Sequence, residues 1–121
     1  MNIKTITNNT TMIAVIHSNE ILINDVQSAL DLMATVKYET GCSKIVINKE
    51  ALIEDFFKLS TCLAGEILQK FVNYNIKFAI VGDYSIYSSK SLKDFIYECN
   101  HGKDIFFVST EDDAIEKLST I

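Results

Sequence analysis

Short runs of apolar, β-branched residues alternate along this chain with segments whose apolar residues recur at helical spacing. Two runs, at residues 3–7 and 12–17, flank an Asn-Asn-Thr cluster and predict a β-hairpin. Between Met12 and Ile16 the second run contains no polar residue, which is typical of a strand buried on both faces of a sheet. We therefore expect this second strand to lie inside a sheet.

The same reasoning predicts three further strands and a series of helices. Apolar runs predict strands at residues 45–47, 76–81 and 105–108. Helical spacing predicts helices at residues 25–37, 50–59 and 61–73, after Ser88, and after Thr110. Asn24 is expected to cap the first helix with Gln27 at its third position, and Thr110 with Asp113 opens the last one.

The elements follow one another in the order ββαβαβαβα. Consecutive parallel strands require a helical crossover, and such crossovers are right-handed almost without exception. This order predicts an α/β fold with a mixed, mostly parallel five-stranded sheet, in which the first strand of the hairpin is antiparallel. No linker or internal repeat divides residues 1–121, so we expect one domain.

Composition restricts the classes of partner. Hydrophobic residues make up 48% of the chain and charged residues 22%, which excludes intrinsic disorder. The net charge is -5 and all eleven positive residues are lysines, so nucleic acid is not an expected partner. The chain shows no secretory h-region, no apolar run long enough to span a membrane and no C-x-x-C pair. We expect a cytoplasmic protein with reduced thiols and no membrane partner.

Several stretches resemble one bacterial family. They read DFFKL at residues 55–59, LAGEILQKF at 63–71, AIVGD at 79–83, SLKDFIYE at 91–98 and DIFFV at 104–108. The chain resembles, over nearly its whole length, the family catalogued as domain of unknown function 4180. That resemblance implies neither a known reaction nor a known ligand.

The order of elements is also similar to that of the STAS fold, which is named for sulphate transporters and anti-sigma-factor antagonists. Signalling members of that fold carry a phosphorylatable Ser or Thr where the third strand meets the following helix. Residues 48–51 read Asn-Lys-Glu-Ala here, without a hydroxyl group, which argues against a phosphorylation switch at this place.

Candidate ligand-binding residues follow from the expected sheet, because open parallel sheets bind ligands beyond the carboxyl ends of their strands. The candidates are Asn48, Gly82, Asp83, Tyr84, Ser85 and Ser88. Glycine allows a ligand to approach the backbone closely, and the carboxylate and hydroxyl groups can form hydrogen bonds with a small polar ligand. The structural alternative is that Gly-Asp forms an ordinary turn and that Asn48, Ser88 and Thr110 cap helices.

A second candidate surface is the polar face of the helix at residues 61–73. Its residues are Glu66, Gln69, Lys70 and Asn73, and neighbouring segments carry Phe56, Phe57, Tyr74, Tyr84 and Tyr87. Exposed aromatic clusters mark partner sites, whereas buried ones form cores, and the pattern leaves both alternatives open. A symmetric homodimer that buries these aromatic residues is a further alternative.

No catalytic constellation stands out in the sequence. His17, Asp83 and Ser85 could form a triad, but no G-x-S-x-G elbow marks the serine. Glu50, Glu54 and Asp55 are acids at the expected start of a helix, where they favour the helix dipole more simply than they bind a metal. The leading hypothesis is a non-enzymatic binding or regulatory module that uses the strand-end loops and has no catalytic residue, metal or cofactor. The alternative is a small hydrolase-like enzyme.

Overall fold

The computed structural model describes residues 2–121, and five strands of this segment form one sheet in the order β1-β2-β3-β4-β5. The strands are β1 (Asn2–Asn8), β2 (Thr11–His17), β3 (Lys44–Asn48), β4 (Lys77–Val81) and β5 (Ile105–Val108). β1 is antiparallel to β2, and every other neighbouring pair is parallel. This confirms the predicted mixed, mostly parallel sheet with an antiparallel first strand.

Within the described segment, four α-helices connect or follow the strands and complete the predicted ββαβαβαβα order. They are α1 (Val26–Thr40), α2 (Leu63–Asn73), α3 (Lys90–Asn100) and α4 (Glu111–Ser119). None of the helices in the described part of the chain is long and apolar enough to cross a membrane.

A tight two-residue turn sets the register of the hairpin. Asn9 and Thr10 have positive φ angles of 53° and 64°, which is the type I′ geometry that suits the twist of two antiparallel strands. Asn8 therefore pairs with Thr11, and the register continues without a bulge to Asn2 opposite His17.

Helices cover the two faces of the sheet unequally. α1, α2 and α3 pack on one face, where they bury side chains such as Ile16, Ile47 and Phe78. α4 covers the opposite face, and its Ala114 and Leu118 pack with side chains that include Ile13, Val15, Val46, Ala79 and Phe106. Because the strand order follows the chain, successive right-handed crossovers place all three connecting helices on one side.

The cap of α1 differs from the prediction by one residue. Asp25, rather than Asn24, is the N-cap, and its Oδ1 accepts a hydrogen bond of 2.8 Å from the backbone N–H of Ser28. Asn24 supports the same turn, because its Oδ1 accepts a hydrogen bond of 3.0 Å from the Ser28 hydroxyl. The helix also runs further than residue 37, to Thr40, and Gly41 with its φ of 72° ends it.

The α-helix predicted at residues 50–59 is wrong. Three 3₁₀ turns, Lys49–Ala51, Glu54–Phe57 and Leu59–Thr61, occupy this region. Between the first two turns, Leu52 forms a parallel bridge with Ile23, and the Ile53 N–H donates to the Ile23 carbonyl at 2.9 Å. These bonds hold the backbone extended at this point, so a continuous helix cannot form.

Of the three further caps that the sequence predicts, Ser88, Asn48 and Thr110, the structure shows only the last. Ser89, rather than Ser88, caps α3 by accepting a hydrogen bond from the Leu92 N–H. Asn48 makes no capping hydrogen bond to the turn that follows it. Thr110 does cap α4, because its hydroxyl accepts a hydrogen bond from the Asp113 N–H, as the spacing predicts.

Candidate functional site

The carboxyl ends of the parallel strands bring the loops after β3, β4 and β5 together. Asn48 is the register partner of Val81, which is in turn the partner of Val108. The Gly82 N–H then donates to the Val108 carbonyl at 3.0 Å. The expectation that Asn48 and Asp83 reach the same edge of the sheet is therefore confirmed.

Asn48 connects two of these loops and is the one buried polar side chain among residues 2–121, with 8% of its surface exposed. Its Oδ1 accepts from the Ser18 N–H at 2.8 Å, and its Nδ2 donates to the Ser18 carbonyl at 2.7 Å. Nδ2 also donates to Glu50 at 3.1 Å, and this bond is the largest cause of the lowered pKa of Glu50. The amide of Asn48 is thus already engaged by the protein.

Asp83 and Ser85 form a local turn on the surface. One carboxylate oxygen of Asp83 accepts from the Ser85 hydroxyl at 2.6 Å and from its backbone N–H at 3.0 Å. These two bonds hold the pKa of Asp83 below its ordinary value, so the carboxylate is ionised at neutral pH. This arrangement matches the structural alternative of an Asx turn.

His17 does not join this pair. Within residues 2–121 it makes no hydrogen bond to Asp83 or Ser85, and it lines a separate cavity of about 250 Å³ with Lys4 and Glu111. The structure therefore does not assemble the Ser-His-Asp geometry that a hydrolase requires.

Lys49 explains the glycine at position 82, and sequence reasoning missed this lysine. A Cβ atom added to Gly82 would lie 2.6 Å from Cβ and 2.8 Å from Cδ of Lys49. Gly82 has no left-handed φ, so its small size is needed only because the lysine stem crosses its backbone. The close approach predicted for Gly82 is thus made by a side chain of the protein.

The Lys49 ammonium is part of a compact group that we call the Lys49 cluster: Lys49, Glu54, Phe57 and Tyr87. Only 12% of the lysine side chain is exposed, and its Nζ lies 3.9 Å from a Glu54 oxygen. Nζ is 5.2 Å from the ring centroid of Phe57 and 5.0 Å from that of Tyr87, which is the distance of cation–π contacts.

Further contacts make the Lys49 cluster rigid. The Phe57 and Tyr87 rings stack with centroids 5.4 Å apart, and the Tyr87 hydroxyl donates to Glu54 at 2.9 Å. Burial, followed by this bond to a carboxylate, raises the pKa of Tyr87. The Lys49 cluster therefore fastens the loop between β4 and α3 to the turns that follow β3.

Tyr84 belongs to the same loop and is directed inward. Its hydroxyl donates to the Ile80 carbonyl at 2.7 Å, and its ring lies edge-on to Phe107 with centroids 5.5 Å apart. Burial raises the pKa of this phenol, which therefore stays protonated under physiological conditions.

An open cleft of about 720 Å³ lies between the two segments that the Lys49 cluster joins, and we call it the edge cleft. Its lining residues are Glu54, Phe57, Lys58, Leu59, Ser60, Ile86, Tyr87, Ser88, Ser89 and Ser91. Ile86 is 65% exposed, so most of its apolar side chain is in contact with water beside this concave surface. A second cleft, of about 610 Å³, is lined by Tyr84 and Phe107 together with residues of α4.

Only some of the predicted site residues reach these clefts. Ser88 lines the edge cleft and Tyr84 lines the second cleft, whereas Asn48, Gly82, Asp83 and Ser85 line neither. Glu66, Gln69 and Asn73 are exposed on α2, where the Gln69 amide donates to Asn73 at 2.9 Å. Lys70 is half-buried on the same helix and also lies outside both clefts.

The aromatic residues near α2 separate into two environments. Phe56 and Phe57 are buried in the core, whereas Tyr74 is exposed. The residues therefore do not form one exposed patch. Among residues 2–121, no group of three or more His, Cys, Asp and Glu side chains could hold a metal ion.

Fold and site together define a small α/β protein whose mixed sheet carries an aromatic-walled cleft at its carboxyl edge. A family model described as "Domain of unknown function (DUF4180)" matches residues 8–118. The chain belongs to this family, which confirms the resemblance seen in the sequence. No curated protein and no solved structure matches the chain, so the likeness to the STAS fold remains one of element order.

Proposed function

We propose that this protein is a non-enzymatic binding or regulatory module, and that it recognises a partner protein or a small ligand in the edge cleft. The observation that carries the proposal is the exposed side chain of Ile86 beside a concave surface walled by Phe57 and Tyr87. An isoleucine in this position contributes binding energy only when a ligand or partner removes it from water.

The chemistry of the edge cleft supports a ligand that combines apolar and hydrogen-bonding groups. Leu59 and Ile86 offer apolar surface, and the hydroxyl groups of Ser88 and Ser91 offer donors and acceptors. Glu54 and Lys58 also line the cleft, so it combines charged, hydroxyl and apolar groups, as protein interfaces do.

Rigidity of the cleft wall also supports binding. Ordering a loop on association costs free energy, and a wall that is already ordered avoids that cost. The stacked rings and the Tyr87 bond to Glu54 fix one wall before any ligand arrives.

The proposal has two further parts, which concern the location of the protein in the cell and a second contact surface. It places the protein in the bacterial cytoplasm, where Cys42, Cys62 and Cys99 would stay free thiols, as they are in the structure. It also keeps the polar face of α2, formed by Glu66, Gln69, Lys70 and Asn73, as an additional contact for a protein partner.

A screen by thermal unfolding tests the proposal, with metabolites, nucleotides and a peptide library as separate arms. A ligand present at 100 times its dissociation constant adds about 2.7 kcal/mol to the folded state. We expect Ile86→Asp to weaken binding of any hit by roughly tenfold or more, because it replaces exposed apolar surface of the cleft by a charge.

The matched control is Ile21→Asp, since Ile21 is similarly exposed but does not line the edge cleft. A hit that binds both variants equally well would contradict the assignment of the site. A hydrolytic activity that disappears in Ser85→Ala or His17→Ala would contradict the non-enzymatic function.

A further inference from the structure

The outer edges of β5 and β1 differ in the hydrogen bonds that the rest of the chain makes to them. At β5, the residues that face β4 are the even-numbered ones, because the Asp104 and Val108 carbonyls accept from Phe78 and Gly82. The backbone N–H and C=O groups of Phe107 therefore point away from β4, while its side chain stays in the core.

The side chain of Asn100 covers this outward position. Its Oδ1 accepts from the Phe107 N–H at 2.7 Å, and its Nδ2 donates to the Phe107 carbonyl at 3.1 Å. An amide placed in this way satisfies the same two groups that a neighbouring strand would satisfy, so the edge of β5 is protected at Phe107.

At β1, no side chain among residues 2–121 covers the outward backbone groups in this way. The type I′ turn makes Asn8 and Thr11 a hydrogen-bonded pair, so the alternation of an antiparallel ladder directs Ile3, Thr5 and Thr7 away from β2. Within residues 2–121, the N–H and C=O groups of these three residues have no hydrogen-bond partner. β1 also has no proline and no bulge, and Lys4 is its one charged residue.

We propose that β1 pairs with β1 of a second copy of this chain in an antiparallel arrangement centred on Thr5, which joins two sheets into one. The inference is independent of the proposed ligand function, because it uses the opposite end of the sheet order from β5 and none of the residues of the edge cleft. An exposed row of backbone donors and acceptors is complementary to another strand, which identifies the kind of partner.

The sequence of β1 favours a second copy in this particular register. With Thr5 opposite the partner's Thr5, Ile3 of each copy lies opposite Thr7 of the other. All three outward residues then form hydrogen-bonded pairs, which gives six backbone hydrogen bonds. Lys4 then lies opposite Ile6, and no like charges meet.

The neighbouring registers are poorer. A shift by two residues in one direction places Lys4 opposite the partner's Lys4, which is repulsive. It also leaves Thr7 opposite no residue of the partner's β1. A shift by two residues in the other direction leaves Ile3 opposite no residue of the partner's β1. The register centred on Thr5 therefore pairs every free backbone N–H and C=O group of Ile3, Thr5 and Thr7. It also places no like charges opposite each other.

Side chains on both faces add to the pairing. Ile3 is half-buried on the face of α1, and the partner's Thr7 would cover it further. Ile6 is half-buried on the face of α4, where the aliphatic part of the partner's Lys4 would lie across it.

Sedimentation equilibrium of the full chain over a wide range of concentration is the first test. We expect the average mass to rise from 13.6 kDa towards twice that value as the concentration increases. An average mass that stays at 13.6 kDa at every concentration would overturn the proposal. The unpaired edge of β1 would then be a site for a strand of a different protein.

Charge variants test the register. Thr5→Lys would place two ammonium groups opposite each other, so we expect dimerisation to weaken by roughly tenfold or more. Thr7→Lys is the matched control, because its new charge would face Ile3 and should have a smaller effect. A dimer that is equally stable in both variants uses another surface and would overturn the proposal.

A disulfide test gives a positive signal. Opposite residues of a hydrogen-bonded antiparallel pair have Cα atoms about 5.5 Å apart, which a disulfide can span. In a background without the exposed Cys62 and the half-buried Cys99, Thr5→Cys should form a covalent dimer on mild oxidation. Thr7→Cys should not, and equal cross-linking of both variants would overturn the register.

Discussion

Gly82 and Lys49 occupy the same small space at the carboxyl end of β4. The lysine stem crosses the glycine backbone and carries its ammonium to the rings of Phe57 and Tyr87. The glycine is therefore required by a neighbouring side chain and not by a turn of unusual geometry.

Replacing this glycine should be costly. We expect Gly82→Ala to lower the free energy of unfolding by about 1 to 3 kcal/mol, because the added methyl group would overlap the lysine stem near its own backbone. Denaturation with urea measures the change.

Gly65 is the matched control for this substitution. A Cβ atom at Gly65 would meet no atom within 4 Å, and the residue lies inside α2. We expect Gly65→Ala to raise the free energy of unfolding by about 0.5 to 1 kcal/mol. Equal effects of the two substitutions would contradict the packing argument.

At this scale the sequence predicts where polar residues collect but not what they contact. Asn48 and Asp83 were both placed at the correct edge, since this follows from the order of strands. Lys49 was not identified, because its partners Phe57 and Tyr87 are distant in sequence and a lysine ordinarily remains in water. Only the folded chain brings the Lys49 cluster together.

Whole elements are more predictable than residues when the pattern is strong. The continuous apolar runs of β2 and β4 and the periodic apolar face of α2 identified these elements correctly. The error at residues 50–59 arises because tertiary hydrogen bonds from the segment at Leu22 and Ile23 replace the local ones that a helix would form.

The start of α1 gives a prediction about pH. Hydrogen bonds from Ser28 hold the pKa of Asp25 below its ordinary value of 3.8. The folded state then binds this proton more weakly than the unfolded state does. The stabilisation is complete above the unfolded pKa and is lost as the pH falls through the folded one.

We therefore expect Asp25→Ala to destabilise the protein at neutral pH, and the difference from the wild type to shrink in acid. Urea unfolding between about pH 7 and about pH 2 measures this difference. Asp25→Asn is the control, because asparagine caps a helix without titrating. A difference between Asp25→Ala and the wild type that stays constant over this range would contradict the explanation.

At the scale of the whole molecule, the helices cover the two faces of the sheet unequally, so the burial of one face depends on α4. Among residues 2–121, three helices cover one face of the sheet and α4 alone packs on the other. The amphipathic pattern of residues 111–119 predicted this helix, yet nothing in the pattern shows that it lies alone on its face.

Leu118 should be especially sensitive for this reason. It is fully buried, with 0% of its surface exposed, against the second core. We expect Leu118→Ala to lower the free energy of unfolding by about 2 to 5 kcal/mol, because a cavity remains where no other helix can move in. Ile121→Ala, at an exposed position, should change it by less than about 0.5 kcal/mol.

The agreement between strand order and chain order has a consequence for synthesis on the ribosome. Each new strand can add beside the one made just before it, so the growing sheet never waits for a distant segment. α4 follows β5 in the chain, however, so one apolar face stays bare until residues 111–119 emerge from the exit tunnel. During that interval the exposed apolar surface makes the nascent chain prone to aggregation.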